Sequence, residues 1–329
     1  MTQAPVLVVV DHHEGALTQP ATEVLTAART LAAGAPVAAV WLGAQAPGEA
    51  ALAELGRFGV AAVHVPELGE LAPQLAAVAA EAVAAVVAAT APQAVLLVSS
   101  YAGKELAAGL AVAQGTGAVV DATGVERRPD GTVAASKTVF GASWDTVCAV
   151  TGPLPVVALR PAAVDAQPAP AAVEPQLLTV PVAFTDRARA VTVVERTEYP
   201  ATGQVPLTEA QTVVVGGRGT DGDFTAVEEL AGLLGGAVGA TRDVTDEGWR
   251  EHSAQIGQTG VTVAPRLYIG VGVSGAVHHT VGMQAAQTVV AVNTDPEAPI
   301  FELADFGVVG AAEDVLPQAI EALRAHRGA

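Results

Sequence analysis

Two histidines, a serine and an asparagine that could bind an anionic ligand lie close together near the C-terminal end of the sequence. The apolar run at residues 267–271 predicts a buried strand that ends in a turn of glycine and serine. His278 and His279 follow on a helix-like segment, and the next apolar run ends on Asn293. Because a helix begins with unpaired N–H groups, this pattern favours phosphate binding at the carboxyl edge of a parallel sheet.

A second glycine-rich turn follows the apolar run at residues 211–215, and Gly217, Gly219 and Gly222 fit the dinucleotide spacing G-x-G-x-x-G. This spacing is a weak signal unless an acidic residue ends the next strand. Arg242 stands near that end instead, and an arginine there could bind a 2′-phosphate. The residues alone therefore leave open an NADP-dependent oxidoreductase and a non-redox nucleotide-binding regulator.

The order of these motifs resembles the alpha subunit of the electron transfer flavoproteins. In chain order the motifs are GGRG, GATR, QIGQTG, SGAVHH and VN, between about residues 210 and 310. The matching signature positions are Leu267, Tyr268, Ser274, Gly275, His279, Gly282, Ala291 and Asn293. Two positions depart from the family pattern, because Gly270 replaces the common alanine or threonine and His278 replaces the usual glutamine.

The resemblance implies that one FAD binds to each alpha subunit. It places Arg242 near the isoalloxazine ring, Thr259 near N5 and His279 at the O2 edge, where positive charge and hydrogen bonds would stabilise an anionic semiquinone. The positions implied for the pyrophosphate, ribityl and adenosine parts are Arg218, Thr241, Ile256, Gly257, Gln258, Ser274, Gly275, Ala276, Val277, His278 and Asn293. The adenine contact stays open between Glu313 and Asp314.

The implied protein is the FAD-binding alpha subunit of a heterodimer, an electron carrier and not an enzyme that converts a substrate. It would accept electrons from acyl-CoA and related dehydrogenases of fatty acid β-oxidation and pass them to the electron transfer flavoprotein-quinone oxidoreductase. The beta subunit would complete the flavin site and hold AMP. The implied fold is α/β, with an N-terminal mixed or parallel-sheet domain at residues 1–197 that contacts the beta subunit, and a C-terminal Rossmann-like FAD-binding domain at residues 198–329.

Composition agrees with two domains and excludes several classes of partner. The 329 residues include 34 acidic and 16 basic side chains, a formal net charge of -18 that disfavours nucleic acid. Cys148 is the single cysteine and cannot form an internal disulfide. The N-terminus shows no export signal, and the alanine-rich run at residues 75–98 contains polar residues unsuited to a bilayer. We therefore expect a cytoplasmic protein with no membrane insertion.

The first domain alternates apolar runs with helix-length segments, which predicts a parallel sheet covered on both faces. Runs without intervening helices at residues 118–119, 132–140 and 146–150 predict an antiparallel extension, and residues 180–195 predict one more strand. The Asp-His-His-Glu run at residues 11–14 favours a polar loop over a metal site. The turn at residues 99–104 favours a helix cap over a phosphate site.

Overall fold

The computed structural model describes residues 3–140, 144–195 and 205–327. The chain divides into two compact units, one on each side of residues 196–204. The predicted domain boundary near residue 197 lies outside the described residues, and each unit is therefore described by itself. Among the described residues, no helix combines the length and the apolar character needed to cross a bilayer.

The N-terminal unit contains eleven strands and five helices within the described residues. The strands are β1 Val6–Val10, β2 His12–His13, β3 Ala16–Leu17, β4 Val37–Trp41, β5 Val60–Pro66, β6 Ala94–Val98, β7 Ala118–Arg127, β8 Val133–Val139, β9 Trp144–Ala149, β10 Val156–Leu159 and β11 Gln176–Val180. The helices are α1 Gln19–Ala32, α2 Glu49–Arg57, α3 Ala76–Thr90, α4 Tyr101–Gln114 and α5 Asp186–Arg189.

Nine of these strands form one sheet in the order β11-β5-β4-β1-β6-β10-β7-β8-β9. All pairings from β11 to β7 are parallel, whereas β8 pairs antiparallel with both β7 and β9. Strands β1, β4, β6 and β10 are buried along their whole length, because helices cover both faces of a parallel sheet. The mixed sheet is confirmed, and so is the antiparallel extension at β8 and β9. Residues 118–119, also predicted as part of this extension, instead pair parallel with β10.

The predicted strand at residues 180–195 is wrong. The strand β11 ends at Val180, since Pro181 follows and has no N–H to continue the ladder. Thr185 instead begins the short helix α5, and its hydroxyl accepts a hydrogen bond from the N–H of Ala188. The carboxylate of Glu81 on α3 accepts hydrogen bonds from both the N–H and the hydroxyl of Thr185, at 2.9 and 2.6 Å, and ties the segment to α3.

The polar run after β1 forms part of a short hairpin and not the polar loop that its sequence favours, because His12 and His13 make up β2 and pair antiparallel with β3. The ring of His12 stacks on Trp41 with 3.8 Å between ring centroids, and its Nε2 lies 3.0 Å from the carbonyl oxygen of Leu42. Within the described residues, no group of three or more histidine, cysteine, aspartate or glutamate side chains could hold a metal ion. The ring of His12 therefore packs against the end of β4.

The turn after β6 forms a helix cap, as predicted. The hydroxyl of Ser100 accepts a hydrogen bond from the N–H of Gly103 at the start of α4, at 3.1 Å. Ser99 and Lys104 both bind the carboxylate of Asp121, at 3.0 and 2.9 Å. The polar side chains of this turn are thus engaged with each other and with the neighbouring strand.

The C-terminal unit contains five strands and four α-helices within the described residues. The strands are β12 Thr212–Gly216, β13 Ala237–Ala240, β14 Leu267–Val271, β15 Thr288–Asn293 and β16 Phe306–Val309. The α-helices are α6 Thr225–Leu234, α7 Arg242–Asp246, α8 Val277–Thr280 and α9 Ala312–Arg327, and 3₁₀ turns occupy Arg218–Thr220, His252–Ala254 and Pro299–Glu302.

All five strands are parallel and lie in the order β13-β12-β14-β15-β16. This is a doubly wound order, because the chain adds β13 on one side of β12 and then returns to add β14 on the other side. In such sheets, ligands bind at the point where the strand order reverses, beyond the carboxyl ends of the strands. The turns after β12 and β14 approach closely at this point, because a Cβ on Gly217 would lie 2.2 Å from the carbonyl oxygen of Gly272. The predicted Rossmann-like domain is confirmed.

We predict that Gly217→Ala lowers the free energy of unfolding by about 1–3 kcal/mol, because the added methyl group forces the two turns apart. The control is Gly232→Ala in the last turn of α6, where a Cβ meets no atom within 4 Å. That variant should gain about 0.5–1 kcal/mol from helix propensity. Urea unfolding of the purified protein measures both, and equal effects of the two substitutions would contradict the close contact.

Candidate cofactor-binding site

In the glycine turn at residues 217–222, the N–H groups of Gly217 and Gly219 are not available to a pyrophosphate. The N–H groups of Gly217 and Gly219 donate to the carbonyl oxygens of Val271 and Gly272, at 2.8 and 3.1 Å. In the dinucleotide fingerprint these glycines let the pyrophosphate approach the backbone at the start of the helix. Here a 3₁₀ turn comes first, and α6 begins only at Thr225. The glycines therefore join two turns of the protein, which argues against an NADP site of this type.

Two exposed arginines lie where β12 and β13 end. Arg218 forms an ion pair with Asp243 at 3.1 Å, and Arg242 forms one with Asp246 at 3.2 Å. All four side chains are more than half exposed. Exposed pairs of this kind contribute only about 0–1 kcal/mol. Both guanidinium groups can therefore turn to an anionic ligand at little cost.

Thr241 separates β13 from α7 and has an unusual hydroxyl. The residue is buried, yet its Oγ1 has no hydrogen-bond partner within the described part of the chain. A buried hydroxyl without a partner costs roughly 1–3 kcal/mol. A ligand that offers it a hydrogen bond would remove this penalty, and the polar groups of a dinucleotide cofactor can do so. Thr241 thus fits the binding position that the sequence predicts.

Backbone contacts bring the loop after α7 against α8. The N–H of Ile256 donates to the carbonyl oxygen of Ala240 at 3.0 Å, and the N–H of Gln258 donates to that of His278 at 2.7 Å. A Cβ on Gly257 would lie 2.5 Å from the same His278 oxygen, and its φ of +144° also favours glycine. The predicted site residues of the two segments are therefore neighbours. Within the loop, Ile256 and Val261 also form an isolated β-bridge.

The side chains of the same two segments also meet. Nδ1 of His278 lies 2.8 Å from Oε1 of Gln258, and both side chains are exposed. Since the amide oxygen only accepts, the imidazole Nδ1 carries the proton in this contact. The remaining nitrogen, Nε2, is left for solvent or a ligand. His278 thus differs from the usual glutamine in shape but still presents a polar atom at the surface of α8.

His279 is buried, and both of its ring nitrogens are engaged. Nδ1 lies 2.9 Å from the carbonyl oxygen of Ile256, and Nε2 lies 2.7 Å from the hydroxyl of Tyr268. Burial lowers the pKa of His279 to about 4 and raises that of Tyr268. The imidazole is therefore neutral at pH 7, with Nδ1–H donating to Ile256 and Nε2 accepting from Tyr268. In this arrangement His279 can contribute hydrogen bonds but not a positive charge, because burial disfavours the charged form, and its predicted place at the flavin O2 edge stays a prediction.

The turn after β14 is held from the side by Asn293. The side-chain amide of Asn293 donates to the carbonyl oxygen of Val273 at 2.9 Å, and its oxygen accepts from the N–H of Asp295 at 3.0 Å. Gly275 is buried, and a Cβ at this position would lie 2.2 Å from the backbone nitrogen of Ile300. The remaining predicted positions of this turn, Ser274, Ala276 and Val277, are exposed. Asn293 therefore shapes the turn, and its predicted contact with a ligand stays a prediction.

Sequence reasoning did not single out Gln255, which is buried inside the site. Its Nε2 donates to the hydroxyl of Thr259 at 2.9 Å, and its Oε1 accepts from the hydroxyl of Thr245 at 2.9 Å. The residue is only 1% exposed, unlike the two threonines. A glutamine in a glycine-containing loop is ordinarily taken as solvated, and only its burial shows that it links the loop to α7.

Comparisons with known proteins match both units of the chain. The model of the electron transfer flavoprotein FAD-binding domain matches residues 206–284, and that of the electron transfer flavoprotein domain matches residues 6–185. Similar proteins include electron transfer flavoprotein subunit alpha of Mycobacterium leprae, 41% identical over 99% of this chain and 100% of that protein, and of Thermoanaerobacterium thermosaccharolyticum, 33% identical over 95% and 96%. Protein FixB of Azotobacter vinelandii is 36% identical over 73% of this chain and 68% of its own length.

The doubly wound sheet and the polar loops at its carboxyl edge define a nucleotide-cofactor-binding α/β protein. The matches over both units identify it further. The chain belongs to the electron transfer flavoprotein alpha-subunit family, its C-terminal unit is an FAD-binding domain, and the family implies a beta-subunit partner.

We predict that His279 makes stability depend on pH between 6.5 and 4. Because its pKa is lowered to about 4 in the folded protein, the unfolded chain takes up a proton first as the pH falls. The contribution is complete above pH 6.5 and is lost by pH 4, amounting to up to about 3 kcal/mol. His279→Gln keeps an acceptor for Tyr268 and a donor for Ile256 but does not titrate. Urea unfolding from pH 4 to 7.5 should show the difference between wild type and variant shrinking toward low pH, and a constant difference would contradict a buried neutral imidazole.

Proposed function

We propose that this chain is the FAD-carrying alpha subunit of a heterodimeric electron transfer flavoprotein, with one FAD per alpha chain. The observation that carries the proposal is the convergence of three polar segments at the carboxyl edge of the C-terminal sheet. Residues 255–259 are bonded to the end of β13 on one side and to α8 on the other. This edge lies within the stretch that matches the FAD-binding domain.

The residues divide the work according to their chemistry. Arg218, Thr241 and the exposed part of the turn at residues 274–278 would hold the phosphate, ribityl and adenosine parts of FAD. Arg242 would lie near the flavin ring, and Thr259 would donate a hydrogen bond to it. A bound flavin supplies one-electron chemistry, and nearby positive charge and hydrogen-bond donors stabilise its anionic reduced forms. His279 is neutral, which leaves Arg242 as the cation for that task.

His279 would form part of the floor of the site, since both of its ring nitrogens are engaged within the protein. Its contact with Tyr268 connects α8 to the buried strand β14, and its contact with Ile256 connects α8 to the loop. The O2 edge of a bound flavin would meet the imidazole of His279, which cannot rotate without breaking its hydrogen bonds to Tyr268 and Ile256. We retain the proposal that His279 lies at this edge, with orientation and not charge as its contribution.

The electron route is proposed from the family to which the chain belongs. Acyl-CoA and related dehydrogenases would reduce the flavin, and the electron transfer flavoprotein-quinone oxidoreductase would reoxidise it. The reduced flavin would pass through an anionic semiquinone. The beta subunit would complete the flavin site and hold AMP, and the complex would work in the cytoplasm.

The first test is the absorption spectrum of the protein purified together with its beta subunit, followed by release and chromatography of the bound nucleotides. Flavin absorption with one FAD per alpha chain supports the proposal, and one AMP per heterodimer supports the assignment of the partner. A colourless complex that takes up NADPH but not added FAD would overturn it. Stepwise reduction with limiting acyl-CoA dehydrogenase and substrate then tests the electron donor.

We predict that Arg242→Ala destabilises the one-electron reduced flavin more than it weakens binding of oxidised FAD. The reason is that the guanidinium is exposed and weakly paired, so that it interacts most strongly with a ligand that gains negative charge. Photoreduction monitored at the wavelengths of the anionic radical measures the first effect, and FAD titration measures the second. The matched control is Arg324→Ala, which removes an exposed ion pair with Glu229 between α9 and α6. Equal yields of radical in both variants would refute this role of Arg242.

A further inference from the structure

The hydroxyl of Thr259 is oriented from inside the protein. Oγ1 accepts a hydrogen bond from Nε2 of Gln255 at 2.9 Å, which occupies one of its lone pairs. The hydroxyl proton cannot point along the same line, because a donor already lies there. Thr259 is exposed, and its proton is therefore directed away from Gln255 toward the surface of the loop.

The amide of Gln255 is itself fixed by a second contact. Its Oε1 lies 2.9 Å from the hydroxyl of Thr245 on α7, whose single proton is shared between this oxygen and the carbonyl oxygen of Arg242, also 2.9 Å away. Gln255 is 1% exposed, so that water cannot substitute for either partner. Leaving a buried amide group without a partner costs about 1–3 kcal/mol, and this penalty holds the side chain in place.

The backbone around the amide is equally constrained. A Cβ on Gly260 would lie 2.2 Å from the carbonyl oxygen of Gln255, and the N–H of Val261 donates to that oxygen at 2.8 Å. Gln255 also pairs with Ala240 at the end of β13. Gln255 is thus attached to the sheet and the loop through its backbone and to α7 through its side chain. Within the described part of the chain, the side chain of Thr259 is hydrogen-bonded to Gln255.

We propose that Gln255 is a positioning residue that holds the Thr259 hydroxyl as a hydrogen-bond donor toward the flavin. The inference deepens the proposed function and rests on it, since it takes FAD as the ligand. Gln255 does not touch the ligand, and it acts through Thr259. A flavin becomes more electron-rich on reduction, and a fixed donor therefore stabilises the reduced form more than the oxidised form. Gln255 thereby raises the reduction potential of the bound flavin.

The test uses FAD-loaded heterodimers carrying Gln255→Met, Thr259→Val or both. Methionine keeps the length of the side chain but neither donates through nitrogen nor accepts as an amide does. Each single variant should lose fivefold to tenfold of the preference for reduced over oxidised flavin. This corresponds to a first potential about 40–60 mV more negative, from spectroelectrochemical titration. The double variant should be no more negative than Thr259→Val alone, because both substitutions remove the same donor.

A purely structural role of Gln255 has a different signature. It would lower thermal stability and FAD affinity in Gln255→Met while leaving the potential unchanged, or would shift the potential additively with Thr259→Val, and either outcome overturns the inference. If Gln255→Met does not fold, Thr245→Val leaves the Gln255 side chain in place but removes its contact with α7, together with the contact between the Thr245 hydroxyl and the carbonyl oxygen of Arg242. It should shift the potential in the same direction, by less than Thr259→Val. An unchanged potential in Thr245→Val would then overturn it.

The proposed function fails in a distinguishable way. If the wild-type heterodimer binds no FAD, then the ligand is wrong, and both proposals fall together. If wild type binds one FAD and Arg242→Ala behaves as predicted, but Gln255→Met and Thr259→Val keep the wild-type potential, only the role of Gln255 is refuted. The fold is then unaffected, and the loop serves to bind FAD without tuning it.

Discussion

The backbone of residues 255–261 is the constraint on which the C-terminal site depends. On one side it pairs with Ala240 at the end of β13, and on the other it bonds to the carbonyl oxygen of His278 on α8. A segment without regular secondary structure satisfies its polar groups in this way by joining two elements that are distant in the sequence. Gly257 permits the approach to α8, where a side chain would collide with the backbone. The candidate site therefore depends on this loop, which connects the end of β13 to α8.

The buried polar groups of the site are satisfied in pairs, which fixes their protonation. His279 receives a donor from Tyr268 and gives one to Ile256, and this arrangement suits only the neutral ring. Gln255 likewise receives from Thr245 and gives to Thr259. In a low-dielectric interior such networks hold their members more rigidly than the same contacts in water. The interior of the site therefore supplies orientation, and the charge comes from the exposed arginines at its edge.

Sequence periodicity was sufficient to predict the strands β12, β13, β14 and β15 of the C-terminal unit and the antiparallel strands β8 and β9 of the N-terminal one, because apolar runs bounded by glycine have few alternatives. It failed at residues 180–195, where valines suggest a strand but Pro181 ends it and Glu81 draws the chain into a helix cap. Nor could it show that Gly217 and Gly219 have no N–H left for a phosphate. The spacing of the glycines is the same in either use, and only the neighbouring turn at Gly272 distinguishes them.

The exposure of the arginine ion pairs at the carboxyl edge of the sheet decides how easily they can be exchanged, and the sequence alone does not show it. In a chain with a net charge of -18, an anionic cofactor needs cations that are available, and each arginine near the ends of β12 and β13 is paired with a carboxylate on α7. These pairs are exposed, so the carboxylates keep most of their hydration when an arginine leaves them. A buried pair would resist such an exchange, because the abandoned carboxylate would remain without solvent. The ion pairs therefore hold Arg218 and Arg242 at the carboxyl edge of the sheet, and their exposure leaves both guanidinium groups able to turn to an anion.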